Sequence, residues 1–374
     1  MIDVRLLAEA DRTLTACNAC RYCEGVCPVF TSMERRRTFA EADIIHLANL
    51  CHDCRVCYEV CPFSPPHEIG INVPKVLAEV REATYRGYSA PQLVATAFEH
   101  GTPAAAFATT LAILTILAAV LLFRGDRLIA TFTGPGAFYE VIPWLGMVIP
   151  AMVVSIYGLA VIFLGLVRFW RMTDGPLLAK LDLRALVEAS LDVLGLREMD
   201  GGGPGCTYPD ERPNHRRRIS HQLVFYGFIL TFISTGLAAV TQDILGVLPP
   251  YPFLHPVVLT GTVGGIFQIV GCLALIRLKL AAGTVPVARV MRSLDFAFLL
   301  MLILVNADGL ALLVLRETPW LGALLVIHLG SVGGLYLTMP YGKFVHFIYR
   351  YAALLRNRQE EIREERLDQL SAGA

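Results

Sequence analysis

The chain is 374 residues long, 55% hydrophobic and only 17% charged, with no formal net charge. That balance is too apolar for a water-soluble protein of this length, and no nucleic-acid partner is expected. Uncharged blocks alternate with short arginine-rich clusters, as spanning helices and their loops do. The opening MIDVRLLAEADRTLTAC holds no continuous apolar run. No signal peptide is therefore expected, and the first domain should stay in the cytoplasm.

Residues 1–100 read as a compact soluble domain, with helices predicted over 39–50 and 73–85 by apolar residues at three- and four-residue spacing. Eight of the ten cysteines fall here, in CNACRYCEGVCP (Cys17, Cys20, Cys23, Cys27) and CHDCRVCYEVCP (Cys51, Cys54, Cys57, Cys61). Each is the C-x2-C-x2-C-x3-C-P run that holds a four-iron, four-sulphur cluster. Three thiolates on a tight turn grip three corners of one cubane, while the fourth, beside proline, points elsewhere. In two-cluster ferredoxins that fourth cysteine serves the other cluster. The predicted 4Fe-4S sets are Cys17, Cys20, Cys23 and Cys61, and Cys27, Cys51, Cys54 and Cys57. Zinc would show separated pairs of ligands instead. With eight positions filled, His46, His52 and His67 read as surface residues. Cys206 has no partner at ligand spacing, and Cys272 reads as a small hydrophobe. Because 28–50 reads as helical, the domain resembles the alpha-helical ferredoxin module of respiratory iron–sulphur subunits.

Six apolar segments follow, over 104–123, 141–167, 222–240, 254–276, 296–315 and 319–348. Each reaches the roughly 20 residues that a bilayer core of about 30 Å requires. Arg168, Arg171, Arg212, Arg216, Arg217, Arg218, Arg277, Lys279, Arg289, Arg292, Lys343 and Arg350 gather at alternate ends, on the side of the first domain. The opposite connections carry only Arg124, Arg127 and Arg316. This places both termini in the cytoplasm and the chain in the inner membrane. Residues 172–218 form a cytoplasmic loop with a surface helix over 180–196. In the closing tail, 351–374, the run EEIREER reads as a solvated face.

A histidine inside a span is costly and marks a functional hypothesis. His328 and His346 lie five helical turns apart on the predicted last span, about 27 Å along its axis. That separation suits two haems, or one haem and a second redox site. His221, at the start of the third span, matches His346 in depth and is its candidate partner for haem b; the alternative is that it caps the span beside Arg216, Arg217 and Arg218. His255 is the candidate partner of His328, or else a cap before Pro256. Asp308 lies close to the depth of His328, either relaying protons to a quinone or satisfied by neighbouring groups.

The two cysteine runs, GGGPGCTYP, HQLVFYGF, RETPWLGALLVIHLG and LTMPYGKFVHFIYR together resemble the tricarballylate-utilisation (citrate-utilisation) protein B family over nearly the whole chain. The last span is also similar to that of the gamma subunit of respiratory nitrate reductase, where His328 and His346 match two haem ligands. The family implies a membrane electron-transfer subunit that reoxidises a soluble FAD-dependent dehydrogenase acting on tricarballylate or a related acid. Electrons would pass through two clusters and one or two haems b to quinone. A quinol-dependent reductase subunit and a membrane redox sensor are the competing readings. The expected fold is all-α: an alpha-helical ferredoxin-like domain (1–100), a six-helix transmembrane haem-binding bundle (101–350) and the tail.

Overall fold

The computed structural model describes residues 2–173, 175 and 181–372. The first domain is built from α1 (Val4–Cys20), α2 (Pro28–Glu34), α3 (Glu41–Leu50), α4 (Val56–Glu59) and α5 (Val73–Tyr88). Local chemistry sets their ends. Asp3 caps α1 by accepting the Arg5 N–H at 2.7 Å, and Asn72 caps α5 by accepting that of Lys75 at 3.3 Å. Pro28 opens α2 at the first helical position, where its missing N–H costs nothing. Leu14, Met33, Ile45, Leu47 and Leu77 form the core, each at most 1% exposed. His46 is buried among them, its Nε2 3.4 Å from Ser32 Oγ. The surface placement predicted for it fails because α3 buries almost its whole circumference.

After α6 (Gln92–Ala97) come α7 (Thr102–Arg124), α8 (Ala137–Val141), α9 (Trp144–Met172), α10 (Leu183–Gly195), α11 (Arg216–Ala239), α12 (Pro256–Ala281), α13 (Arg289–Leu315), α14 (Leu321–Thr338) and α15 (His346–Ala372). Among the described residues the sheet content is one two-stranded ribbon, β1 (Cys206–Thr207) and β2 (Pro213–Asn214), with Cys206 opposite Asn214. Residue 180, where the loop helix was predicted to begin, lies outside the described residues. Helices α7, α9, α11, α12, α13 and α14 are long and apolar enough to cross a membrane. Their outward faces are apolar too: Leu121, Ile156 and Phe163 are 54%, 62% and 64% exposed, a surface suited to lipid.

Small residues set the helix spacing. A Cβ on Gly330 or Gly334 of α14 would meet Ile113 Cα at 2.6 Å or Thr109 Cα at 2.7 Å on α7. Gly227 of α11 and Gly264 of α12 meet at the same kind of crossing. The loops sort to two ends. Gly136 N–H bonds Pro249 O, and Arg316 bonds Tyr251 O, at the far end. At the near end the first domain reaches the α12–α13 loop through Asn72 to Val285 O (3.1 Å), and the α14–α15 break through Ser89 to Pro340 O (2.9 Å).

Two expectations are corrected. The last apolar segment is not one helix to residue 348. Helix α14 stops at Thr338, Pro340 and an extended Gly342 follow, and a 3-10 turn (Lys343–Val345) leads into α15. His328 and His346 therefore sit on different helices, and the five-turn separation does not hold. The tail's run EEIREER is solvated on one face only: residues 363–366 are exposed, while Glu360, Glu361 and Ile362 turn inward. Helix α15 lies against the first domain, where Arg35 meets Glu364 at 2.7 Å and Glu361 at 3.3 Å, and Arg36 meets Glu360 at 2.8 Å. Ile362, inside EEIREER, is 3% exposed.

Candidate functional site

The repeated cysteine spacing is housed in two different backbones. Cys17 and Cys20 ride the last turn of α1, which Arg21 ends in the left-handed region at φ 53°. The second run is loop and short helix, bent at Asp53 (φ 55°) and Arg55 (φ 67°). Three of the four described non-glycine residues with such φ thus lie inside these runs. Each costs on the order of 1–3 kcal/mol, a strain typical of ligand-gripping turns.

Cys17, Cys20, Cys23, Cys57 and Cys61 line a cavity of ≈ 330 Å³ with Phe30 and Ile71. One water needs only about 10–15 Å³ by the same kind of measure. Burial, then Cys61, pushes the Cys17 thiol up to about 12, and the same two causes push Cys23 up to about 11. Cys27 goes the other way across the domain: burial and then Cys51 push it up to about 12, and burial, Cys27 and Cys51 raise Cys57. The fourth cysteine of each run thus sits beside the first cysteine of the other. Buried thiols this reluctant to ionise lose their protons when metal replaces them. Among the described residues no three His, Cys, Asp or Glu groups converge at the spacing of a single metal ion. The wide cavity and soft sulfur donors fit a cluster rather than one ion.

Spacing alone missed one residue at this site. Cys206 is fully buried, and its sulfur faces that of Cys54 and the Arg217 guanidinium. It has no partner at ligand spacing along the chain; the fold supplies its sulfur neighbour. The glycines of GGGPGC were its sole trace in the sequence.

Two arginines fasten the second cysteine run to the bundle. Arg217 of α11 donates to Asp53 O and Arg350 of α15 to Cys51 O, each at 2.6 Å. Arg81 of α5 also donates to Cys51 O. His221 lies four residues after Arg217, and His346 four residues before Arg350. On the two helices this sets each histidine about 6 Å deeper toward the bundle than its arginine. The imidazoles meet there with ring centroids 6.2 Å apart and planes at 75°. His346 Nδ1 donates to Lys343 O at 2.6 Å, leaving Nε2 free, while His221 Nδ1 is buried and unpartnered. Two paired imidazoles, one with its Nε2 uncommitted and the other with a buried unpartnered Nδ1, are the residues that would hold a metal-centred group at this end of the bundle.

At the far half of the bundle His328 meets Asp308, not His255. Its Nδ1 donates to Asp308 Oδ1 at 2.7 Å, and Ser331 Oγ donates to Oδ2 at 2.6 Å. Asp308 is 7% and Ser331 0% exposed. Gly309 makes room, since a Cβ there would meet the His328 ring at 2.9 Å. His255 caps α12 instead: its Nδ1 accepts the Val257 N–H at 3.3 Å, and its ring stacks on Tyr251 at 4.7 Å.

Fold and cysteine groups define a ferredoxin-like, iron–sulphur type of domain joined to a bundle of six potential membrane helices. Residues 10–87 match the family described as Citrate utilization protein B Fer4-like domain, and residues 100–367 match Citrate utilization protein B. The chain belongs to the citrate utilization protein B family. It is 40% identical over 365 residues to the Escherichia coli protein of that name, covering 95% of this chain and 94% of that one. No solved structure matches it.

Proposed function

We propose that this chain is a membrane electron-transfer subunit that draws electrons from a soluble FAD-dependent dehydrogenase and delivers them to quinone. In this reading Cys17, Cys20, Cys23 and Cys61 hold one 4Fe-4S cluster, and Cys27, Cys51, Cys54 and Cys57 the other. His221 and His346 hold haem b. When bound, these groups supply one-electron carriers whose potentials follow charge, hydrogen bonding and burial. The relative's name points to citrate or a related tricarboxylate as the dehydrogenase substrate.

The observation that carries the reading is the paired arrangement of Arg217 with His221 and Arg350 with His346. It sets two imidazoles one helical turn from the second cysteine run. Exposure gives the direction of approach. Cys20 is exposed and Tyr22 is 68% exposed, so a flavoprotein can reach the first group, whereas Cys51 and Cys54 are 7% exposed. Asp308 holds His328 by Nδ1, and Nε2 remains to exchange a proton with a quinone entering from lipid. In this reading the arginine-rich near end, with the first domain and both termini, lies on the cytoplasmic face of the inner membrane.

The test is anaerobic purification of the chain, with its dehydrogenase, in detergent. Dehydrogenase substrate should reduce a b-type absorbance band, and added quinone should reoxidise it. Protein that holds zinc in place of iron, or a haem band that the substrate leaves oxidised, would overturn the reading.

A further inference from the structure

The segment between α10 and α11 folds over the second cysteine run. Its glycines are pressed against neighbours: a Cβ on Gly201 would meet Val56 Cγ2 at 2.9 Å, and one on Gly202 would meet Val26 Cα at 3.3 Å. Tyr208 lies between two guanidinium groups, Arg55 at 4.3 Å and Arg217 at 5.1 Å from its ring centre. Thr207 Oγ1 donates to Cys54 O at 3.5 Å. The ribbon pairing of Cys206 with Asn214 then fixes the Cys206 sulfur against that of Cys54. Five sulfurs thus gather where a cubane needs four.

We propose that Cys206 is a positioning residue of the second cluster: a fifth sulfur that does not ligate iron but donates its S–H to the Cys54 thiolate and raises that cluster's reduction potential. The inference rests on the reading that Cys54 is a ligand. In the metal-free arrangement the Cys206 S–H points to Met199 O, at 3.3 Å. A ligating Cys54 has no hydrogen and carries negative charge. It becomes the stronger acceptor, and the charge-assisted bond draws the S–H to it. A hydrogen bond to a ligand sulfur stabilises the more negative, reduced cluster. Arg217, fixed by Asp53 O, adds positive charge on the same side.

The experiment compares the purified full-length protein with Cys206→Ala and Cys206→Ser. Iron analysis and paramagnetic resonance test whether the second cluster is there at all, so a wild type without it overturns the ligand reading rather than this one. The alanine variant should keep its iron while one cluster's redox equilibrium shifts about tenfold toward the oxidised form, about 59 mV for one electron. Serine, which also donates, should reverse most of the shift. Wild type in D2O should show one more deuteron coupled to that cluster than the alanine variant, which keeps the amide deuteron that Asp53 gives to Cys51 Sγ. An unshifted potential in the alanine variant, the same coupled deuterons in both proteins, or loss of half the iron in both variants overturns the proposal, the last by making Cys206 a ligand.

Discussion

Arg350 donates to the carbonyl of Cys51 from 299 residues further along the chain, so the last helix grips the second cysteine run directly. A charge-assisted bond of this kind is worth about 1.5–3 kcal/mol. Arg350→Ala should release second-run iron first under urea, at a lower denaturant concentration than the wild type. Equal resistance would mean that Arg81 alone holds the turn.

His221→Ala and His346→Ala should each abolish bound haem in the purified protein while cluster iron is kept. His255→Ala should leave the haem spectrum unchanged, because that residue is spent on the α12 cap. The cap itself is worth about 0.5–2 kcal/mol, which thermal melting can read. Loss of haem in the His255 variant and not in the other two would reverse the ligand assignment.

Helix contact in the bundle depends on missing side chains. Gly334→Val places carbon where Thr109 Cα already stands, and overpacking of this kind costs about 1–3 kcal/mol. The neighbouring Gly333→Ala is the control, since its new Cβ would lie 3.8 Å from the nearest atom, the Cβ of Ala112. Detergent-resistant folded yield should fall for the first and hold for the second.

Acid should weaken the first domain through His46. Burial, then Arg356, Arg36 and Arg35, holds this imidazole well below its ordinary 6.5, so it is neutral in the fold. Below pH 6.5 the unfolded chain takes up a proton that the folded one refuses, and stability falls by up to about 1.4 kcal/mol per pH unit. Its contribution is complete above that pH. His46→Gln should flatten the decline between neutrality and pH 5, measured by urea midpoints.

The tail helix should prove structural. Ile362→Ala opens a cavity beneath α15, on the helix face whose Arg358 and Glu365 pair with Asp192 and Arg184 of α10, at a cost of about 2–5 kcal/mol. Iron should be lost from this variant at lower temperature than from Glu365→Gln, whose partner Arg184 is 55% exposed.

Much of this was legible in the residues because it rests on local pattern. The predicted 39–50 and 73–85 helices appear as Glu41–Leu50 and Val73–Tyr88, and all six apolar segments contain a long helix. The break before His346 was written in Pro340 and Gly342, but the apolar run around them masked it. What stayed hidden depends on distant partners. EEIREER looks solvated until Arg35 and Arg36 are brought to it, and Cys206 looks solitary until the loop closes on Cys54. Asp308 and His328 matched in predicted depth, yet nothing in sequence decides that the carboxylate rather than His255 takes Nδ1.

The clasp between Arg36 and Glu360 joins residues 324 positions apart. A ribosome adding about 5–20 residues per second takes roughly 15 to 65 s to cover that stretch. For most of that interval both cysteine runs already exist without the helix whose Arg350 holds Cys51. On the proposed reading, clusters inserted before the chain is finished would sit in a domain that still lacks its last helix, so loading and closure are coupled to the end of synthesis.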